Sequence, residues 1–94
     1  MARLDEVEVR KRLAALDGWV LAGDAIRKEW RFDSFGAAIA FVNRVAETAE
    51  ALDHHPDILV QYARVTLTST SHDTGGLTER DFRLAARIDA GAAS

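Results

Sequence analysis

Ninety-four residues with a formal net charge of −3, acidic and basic side chains interspersed, leave room for one hydrophobic core and offer no broad basic field for nucleic acid. The absence of cysteine excludes disulfides and thiolate metal sites. With 48% apolar and 29% charged residues, no run near the length of a membrane span and no apolar segment in Met1-Ala2-Arg3-Leu4-Asp5-Glu6, residues 1–94 read as one cytoplasmic domain.

Asp5 followed by Glu8 marks a helix start, with Val9, Leu13 and Leu16 as its apolar stripe and Asp17-Gly18 as its end. Trp19-Val20-Leu21 is a short strand and Gly23-Asp24 a turn. From Ile26 the pattern alternates: Ile26, Lys28, Trp30 and Phe32 point one way, Arg27, Glu29 and Arg31 the other. Ser34 begins the longest helix, in which Phe35, Ala38, Ile39, Val42, Val45, Ala46 and Ala49 keep a helical period that Leu52 extends. Pro56 stops it. Ile58 to Tyr62 is β-prone, Val65 to Ser71 alternates again, and a hairpin is expected at Ala63-Arg64. Gly75-Gly76 breaks the chain. Thr78 with Asp81 resembles a capping box, with Leu77 stapled on Phe82; Leu84, Ala85 and Ile88 then face the core from a last helix, and residues 91–94 should fray.

The order α-β-β-α-β-β-α predicts an α+β two-layer sandwich, a four-stranded antiparallel sheet covered on one face by three helices. The other sheet face and the edge strands stay open, which invites self-association.

The chain's three histidines, His54, His55 and His72, fall in one short region beside Glu50, Asp53 and Asp73. Histidine gives or takes a proton near neutral pH without much tuning. Pro56 pushes His55 into an extended conformation, so a helix ending just before it would present both histidines at its edge. Helix capping and a loop position explain the same residues without function. A metal site is disfavoured, because neighbouring histidines in extended backbone point to opposite sides and no HExxH pattern occurs. The hydroxyls of Ser69, Thr70 and Ser71 lack a nucleophile elbow. Gly75-Gly76 lacks both the Walker and the dinucleotide spacing and reads as a plain turn. Trp19 and Trp30 read most simply as core aromatics.

The runs Glu50-Ala51-Leu52-Asp53-His54-His55-Pro56, Ser71-His72 and Gly76-Leu77-Thr78-Glu79-Arg80-Asp81, with Tyr62, Val65 and Gly18-Trp19, resemble the pterin-4a-carbinolamine dehydratase family. The resemblance extends from about Leu13 to Ile88. It implies dehydration of a 4a-hydroxytetrahydropterin, left by aromatic amino-acid hydroxylases, to quinonoid dihydropterin and water. No metal or organic cofactor is needed. On the matching positions His54 and His72 are the expected acid–base pair, with the direction of each proton left open, and His55 positions the pterin. Asp53 and Glu50 orient the imidazoles or the substrate, Pro56 shapes the wall, Trp19 lies near the pocket, and Asp81 holds the His72 loop. Ser71 stands where threonine is common in the family and keeps the hydroxyl. The family forms homodimers through sheet edges and, in some members, homotetramers through helices. Some members also bind a transcription factor as coactivators, and some relatives with eroded histidines act as enzyme-assembly factors, so a non-catalytic binding module is the alternative.

Overall fold

In the computed structural model, which describes residues 2–92, Asp5 caps the first helix by accepting a hydrogen bond from the Glu8 N–H at 2.9 Å. That helix, α1 (Glu6–Ala14), buries Val9 and half-buries Leu13; Leu16, just past its end, is half-buried as well. It ends before Asp17-Gly18, because Ala15 and Leu16 donate to carbonyls only three residues back and tighten the last turn. Strands β1 (Val20–Ala22) and β2 (Ala25–Arg31) form a hairpin across Gly23-Asp24. Trp19 lies just before β1.

Ser34 caps α2 (Phe35–Leu52), its hydroxyl accepting from the Ala37 N–H at 3.0 Å. The buried stripe is Ala38, Phe41, Val45 and Ala49. It is rotated from the expected one: Phe41 is buried, whereas Phe35 and Ala46 are exposed. Positions 35, 39, 42 and 46 also repeat at a helical period, and they form the flank of the stripe and not its centre. Phe41 stacks against Phe32 and Trp30, and Trp30 meets Trp19 edge-on, with ring centroids 5.1, 4.9 and 5.6 Å apart.

Strands β3 (Asp57–Gln61) and β4 (Arg64–Ser69) turn at Tyr62-Ala63, one residue before the expected position. Arg64 pairs with Gln61 in the last rung, and Tyr62 turns the chain with φ +54° where a glycine would be usual. The four strands form one antiparallel sheet in the order β1-β2-β4-β3. The long central strand β4 alternates strictly: Val65, Leu67 and Ser69 are buried, Thr66 and Thr68 only partly so.

Helix α3 (Glu79–Ala92) closes the layer with Leu84, Ala85 and Ile88 buried. It continues through Gly91 and Ala92, where fraying was expected; Ala93 and Ser94 lie outside the described residues. The fold is the expected three helices on a four-stranded sheet. No helix of the described residues is long and apolar enough to cross a membrane.

Candidate functional site

The site begins where α2 stops. Asp53 adopts the left-handed conformation (φ 50°, ψ 44°), and its N–H donates to the Glu50 carbonyl while the His54 N–H donates to that of Ala49 at 3.0 Å. These are the bonds of a Schellman cap, and they end the helix at Leu52, well before Pro56. The cap reverses the chain so that His54 enters the core and His55, the next extended residue, faces out. The two histidines therefore do not share one edge, as the position of Pro56 alone suggested. His54 is 7% exposed. His55 is exposed, its Nε2 3.1 Å from Glu50 Oε2.

Beneath His54 lies Asp81, fully buried in the first turn of α3. Its Oδ1 accepts from His54 Nε2–H and from Ser69 Oγ–H, each at 2.6 Å. Its Oδ2 accepts from Ser71 Oγ–H at 2.8 Å and from the Thr78 N–H at 3.0 Å. Ser71 Oγ and Thr78 Oγ1 are a further 2.8 Å apart. The carboxylate thus faces donors on the α2–β3 connection, on β4, after β4 and at the α3 cap. A buried carboxylate needs such a set to replace water. Because Asp81 takes the proton end of each bond, the His54 proton sits on Nε2 and its Nδ1 is left for other work.

Thr78 and Asp81 do form the expected cap. The Asp81 carboxylate reaches back to the Thr78 N–H, and Thr78 Oγ1 accepts from the Arg80 N–H at 3.2 Å. The cap holds α3 and aims Asp81 at His54.

His72 directly follows Ser71, the residue on Asp81 Oδ2. It opens a tight turn whose ends, Ser71 and Gly76, pair as an isolated antiparallel bridge. The His72 ring is exposed and makes no hydrogen bond among the described residues. Asp73, next in the turn, accepts from Arg80 Nη2 at 2.7 Å. That hydrogen bond holds the Asp73 carboxyl below the usual carboxylate value and raises the Arg80 guanidinium above its own.

Trp19 stands apart. It is buried beside Trp30, and its Nε1–H donates to Asp89 Oδ2 at 3.0 Å. Asp89 is eight residues along α3 from Asp81, about 12 Å of helix. Lys28 Nζ shares the Asp89 carboxylate at 3.0 Å and lies over the Trp30 ring. A recess of about 250 Å³ between Leu4, Val9, Leu21 and Leu77 contains none of the expected site residues. Among the described residues no group of three or more His, Cys, Asp or Glu is placed to hold a metal ion.

Ser69, Thr78 and Arg80 were not read as site residues from sequence. Ser69 could have been suspected, since a hydroxyl at a core-facing β4 position needs a buried partner.

The family described as pterin 4 alpha carbinolamine dehydratase matches residues 2–91. The chain belongs to the pterin carbinolamine dehydratase family. Among its dehydratase relatives, a protein of Roseiflexus sp. (strain RS-1), provisionally named pterin-4-alpha-carbinolamine dehydratase, is 52% identical over 93% of this chain and 94% of its own. A protein of Chloroflexus aurantiacus with the same provisional name is 53% identical, over 95% and 96%. The crystal structure of a transcriptional coactivator/pterin dehydratase from Brucella melitensis superimposes with a TM-score of 0.89 at 39% identity, covering 94% of this chain and 96% of that one. A pterin dehydratase-like protein identified as a RuBisCO assembly factor in the alpha-carboxysome is similar at a TM-score of 0.65 and 27% identity, over 81% and 88%. The dehydratase fold therefore occurs in proteins described by catalysis and in one described by assembly.

Proposed function

We propose that the protein dehydrates 4a-hydroxytetrahydropterins to quinonoid dihydropterin and water, and so returns the pterin of aromatic amino-acid hydroxylases to its recycling path. The observation that carries this reading is the Asp81 carboxylate, which holds His54 by Nε2 and, through Ser71, the start of the His72 turn. One buried anion thereby ties together two histidines from separate segments. In the reaction the C4a–O bond breaks, the leaving hydroxyl takes a proton to become water, and the adjacent ring N–H gives up its proton as C=N forms. One proton is delivered and one removed, so the balance needs no redox partner. His54, through Nδ1, and His72, through its unbonded ring, are the pair that moves them; positioned groups of this kind each contribute about 10²–10⁴ in rate.

His55, oriented by Glu50, contacts the pterin from the exposed side, with Pro56 as the wall beside it. Ser71 and Asp81 act behind the histidines. Trp19 holds the later part of α3 through Asp89. The protein works in the cytoplasm as a homodimer joined at a sheet edge. Strand β3 is the edge that suits this role, since Ile58, Leu59 and Tyr62 are exposed on and beside it. The test is the decay of enzymatically generated 4a-hydroxytetrahydropterin, followed by ultraviolet absorbance, with wild type and His72→Ala. Acceleration by wild type alone is expected. Equal slow decay with both folded proteins would refute the assignment.

The same apolar edge favours a second reading, an assembly or coactivator module on this scaffold. Under it, His72→Ala would leave the cellular phenotype intact, while a charge at Leu59 would abolish it.

A further inference from the structure

We infer that Arg80 is a positioning residue for His72: its guanidinium reaches from the first turn of α3 to Asp73 and Thr74 and fixes the turn that carries the histidine. The inference rests on the dehydration reading, in which His72 moves a proton. Since the His72 ring has no hydrogen bond of its own among the described residues, its place is set by the backbone around it. That backbone rests mainly on one acceptor, beside two longer bonds of 3.3 Å, from the Gly75 N–H to the His72 carbonyl and from the Ser71 N–H to the Gly76 carbonyl. The N–H groups of Thr74, Gly75 and Gly76 all donate to the Ser71 carbonyl, at 3.0, 3.0 and 3.3 Å. One oxygen has two lone pairs, so three donors share it and none is bound at full strength.

The turn therefore needs an outside tie, and Arg80 supplies it. Its Nη2 donates to Asp73 Oδ1 at 2.7 Å and to Thr74 Oγ1 at 3.3 Å, while its Nε donates to Thr78 Oγ1 at 3.4 Å. Thr78 is itself bonded to Ser71. The guanidinium thus bridges the crown of the turn to the cap that holds Asp81, the anchor of His54. Its side chain is 27% exposed against 69% for Asp73, which places the cation in the better shielded half of the pair. The opposite flank is closed by Arg3, whose Nε would lie 2.7 Å from a Cβ at Gly76. A planar fork with several fixed donors suits this bridging; a lysine ammonium could replace the contact to Asp73 but not the fork.

The test combines kinetics with amide hydrogen exchange on Arg80→Ala, Arg80→Lys and, as a control on the exposed α3 surface, Arg83→Ala. In Arg80→Ala, kcat for dehydration should fall about tenfold with KM held within about twofold, as expected when a catalytic group is misplaced without loss of binding. The Thr74 and Gly75 N–H groups should exchange about tenfold faster, by the same loosening. Arg80→Lys should recover part of both, and Arg83→Ala should match wild type. Unchanged exchange at Thr74 and Gly75 would overturn the inference, as would an unchanged kcat in Arg80→Ala alongside an active wild type. An inactive wild type overturns the dehydration reading and this role with it. The exchange rates, which need no activity, then show whether the tie itself exists.

Discussion

Replacing Asp81 by asparagine tests the electrostatic logic of the site more sharply than deleting a histidine. The carboxylate accepts four hydrogen bonds, and one donor, the Thr78 N–H, has no other role to adopt. The asparagine oxygen must face that N–H, which turns the amide NH₂ toward Ser69 and His54 Nε2. Two donors cannot face each other, so His54 must give up its Nε2 proton and carry it on Nδ1. Each bond also loses its charge assistance, about 1 kcal/mol apiece by the difference between charged and neutral acceptors. Allowing for rotation of the serine hydroxyls leaves about 3 kcal/mol, or a Tm lower by about 12–24 °C for a domain of this size. Inverting the tautomer should cost dehydration about 10²–10⁴-fold. Thermal melting gives the first quantity, nitrogen NMR of the imidazole the tautomer, and pterin absorbance the rate. A stable Asp81→Asn protein that keeps His54 protonated on Nε2 would refute the reasoning, whatever its activity.

His72→Ala should leave stability within about 0.5 kcal/mol of wild type in chemical denaturation, because the ring is exposed and unbonded among the described residues; a large drop would reveal a structural role. Phe41→Ala removes a ring that is 1% exposed and stacked on two others, and chemical denaturation should register a loss of about 3–5 kcal/mol. Asp53→Gly relieves a left-handed backbone (φ 50°) and should stabilise by about 0.5–1 kcal/mol. If dehydration falls while Tm rises, the Asp53 side chain acts on substrate; if both hold or rise, it serves only as the cap. Asp73 titrates below the ordinary carboxylate value because of Arg80, so their bond is fully present above that value and is lost as pH falls through the depressed one. Amide exchange at Thr74 should therefore accelerate at acid pH, relative to neighbours outside the turn, in wild type and show no such step in Asp73→Asn.

Element order and fold class were legible because each segment carries its own period and punctuation: Asp5 and Ser34 as caps, Gly23-Asp24 as a turn, the alternation of β2. What failed was what tertiary context decides. The α2 stripe could be drawn through Phe35 or through Phe41, since both repeat with the helical period; only the aromatic neighbours on β2 select Phe41. The hairpin lacked a glycine, so nothing local revealed that Tyr62 would take the positive φ. The opposed directions of His54 and His55 come from a cap on Asp53, a residue that seldom announces a left-handed turn as glycine does. The histidines themselves were legible as candidates. Asp81 was expected to hold the His72 loop, but its bond to His54 was not foreseen, because residues 54, 69, 71, 78 and 81 converge only through folding, with no shared spacing.

Besides its apolar face, helix α3 is tied to the rest of the molecule by two carboxylates. Asp81 binds the α2 end and the β4 end, and Asp89 binds Trp19 and Lys28. A rod pinned by directional bonds near both ends can neither slide nor roll without breaking one set. Its outer surface, with Glu79, Arg83, Ala86 and Arg87 exposed, is then free to be rewritten. A tag, a dye or a new binding face could be mounted there with little disturbance to the histidines beneath, which makes α3 a fixed platform on which this small domain can be re-equipped.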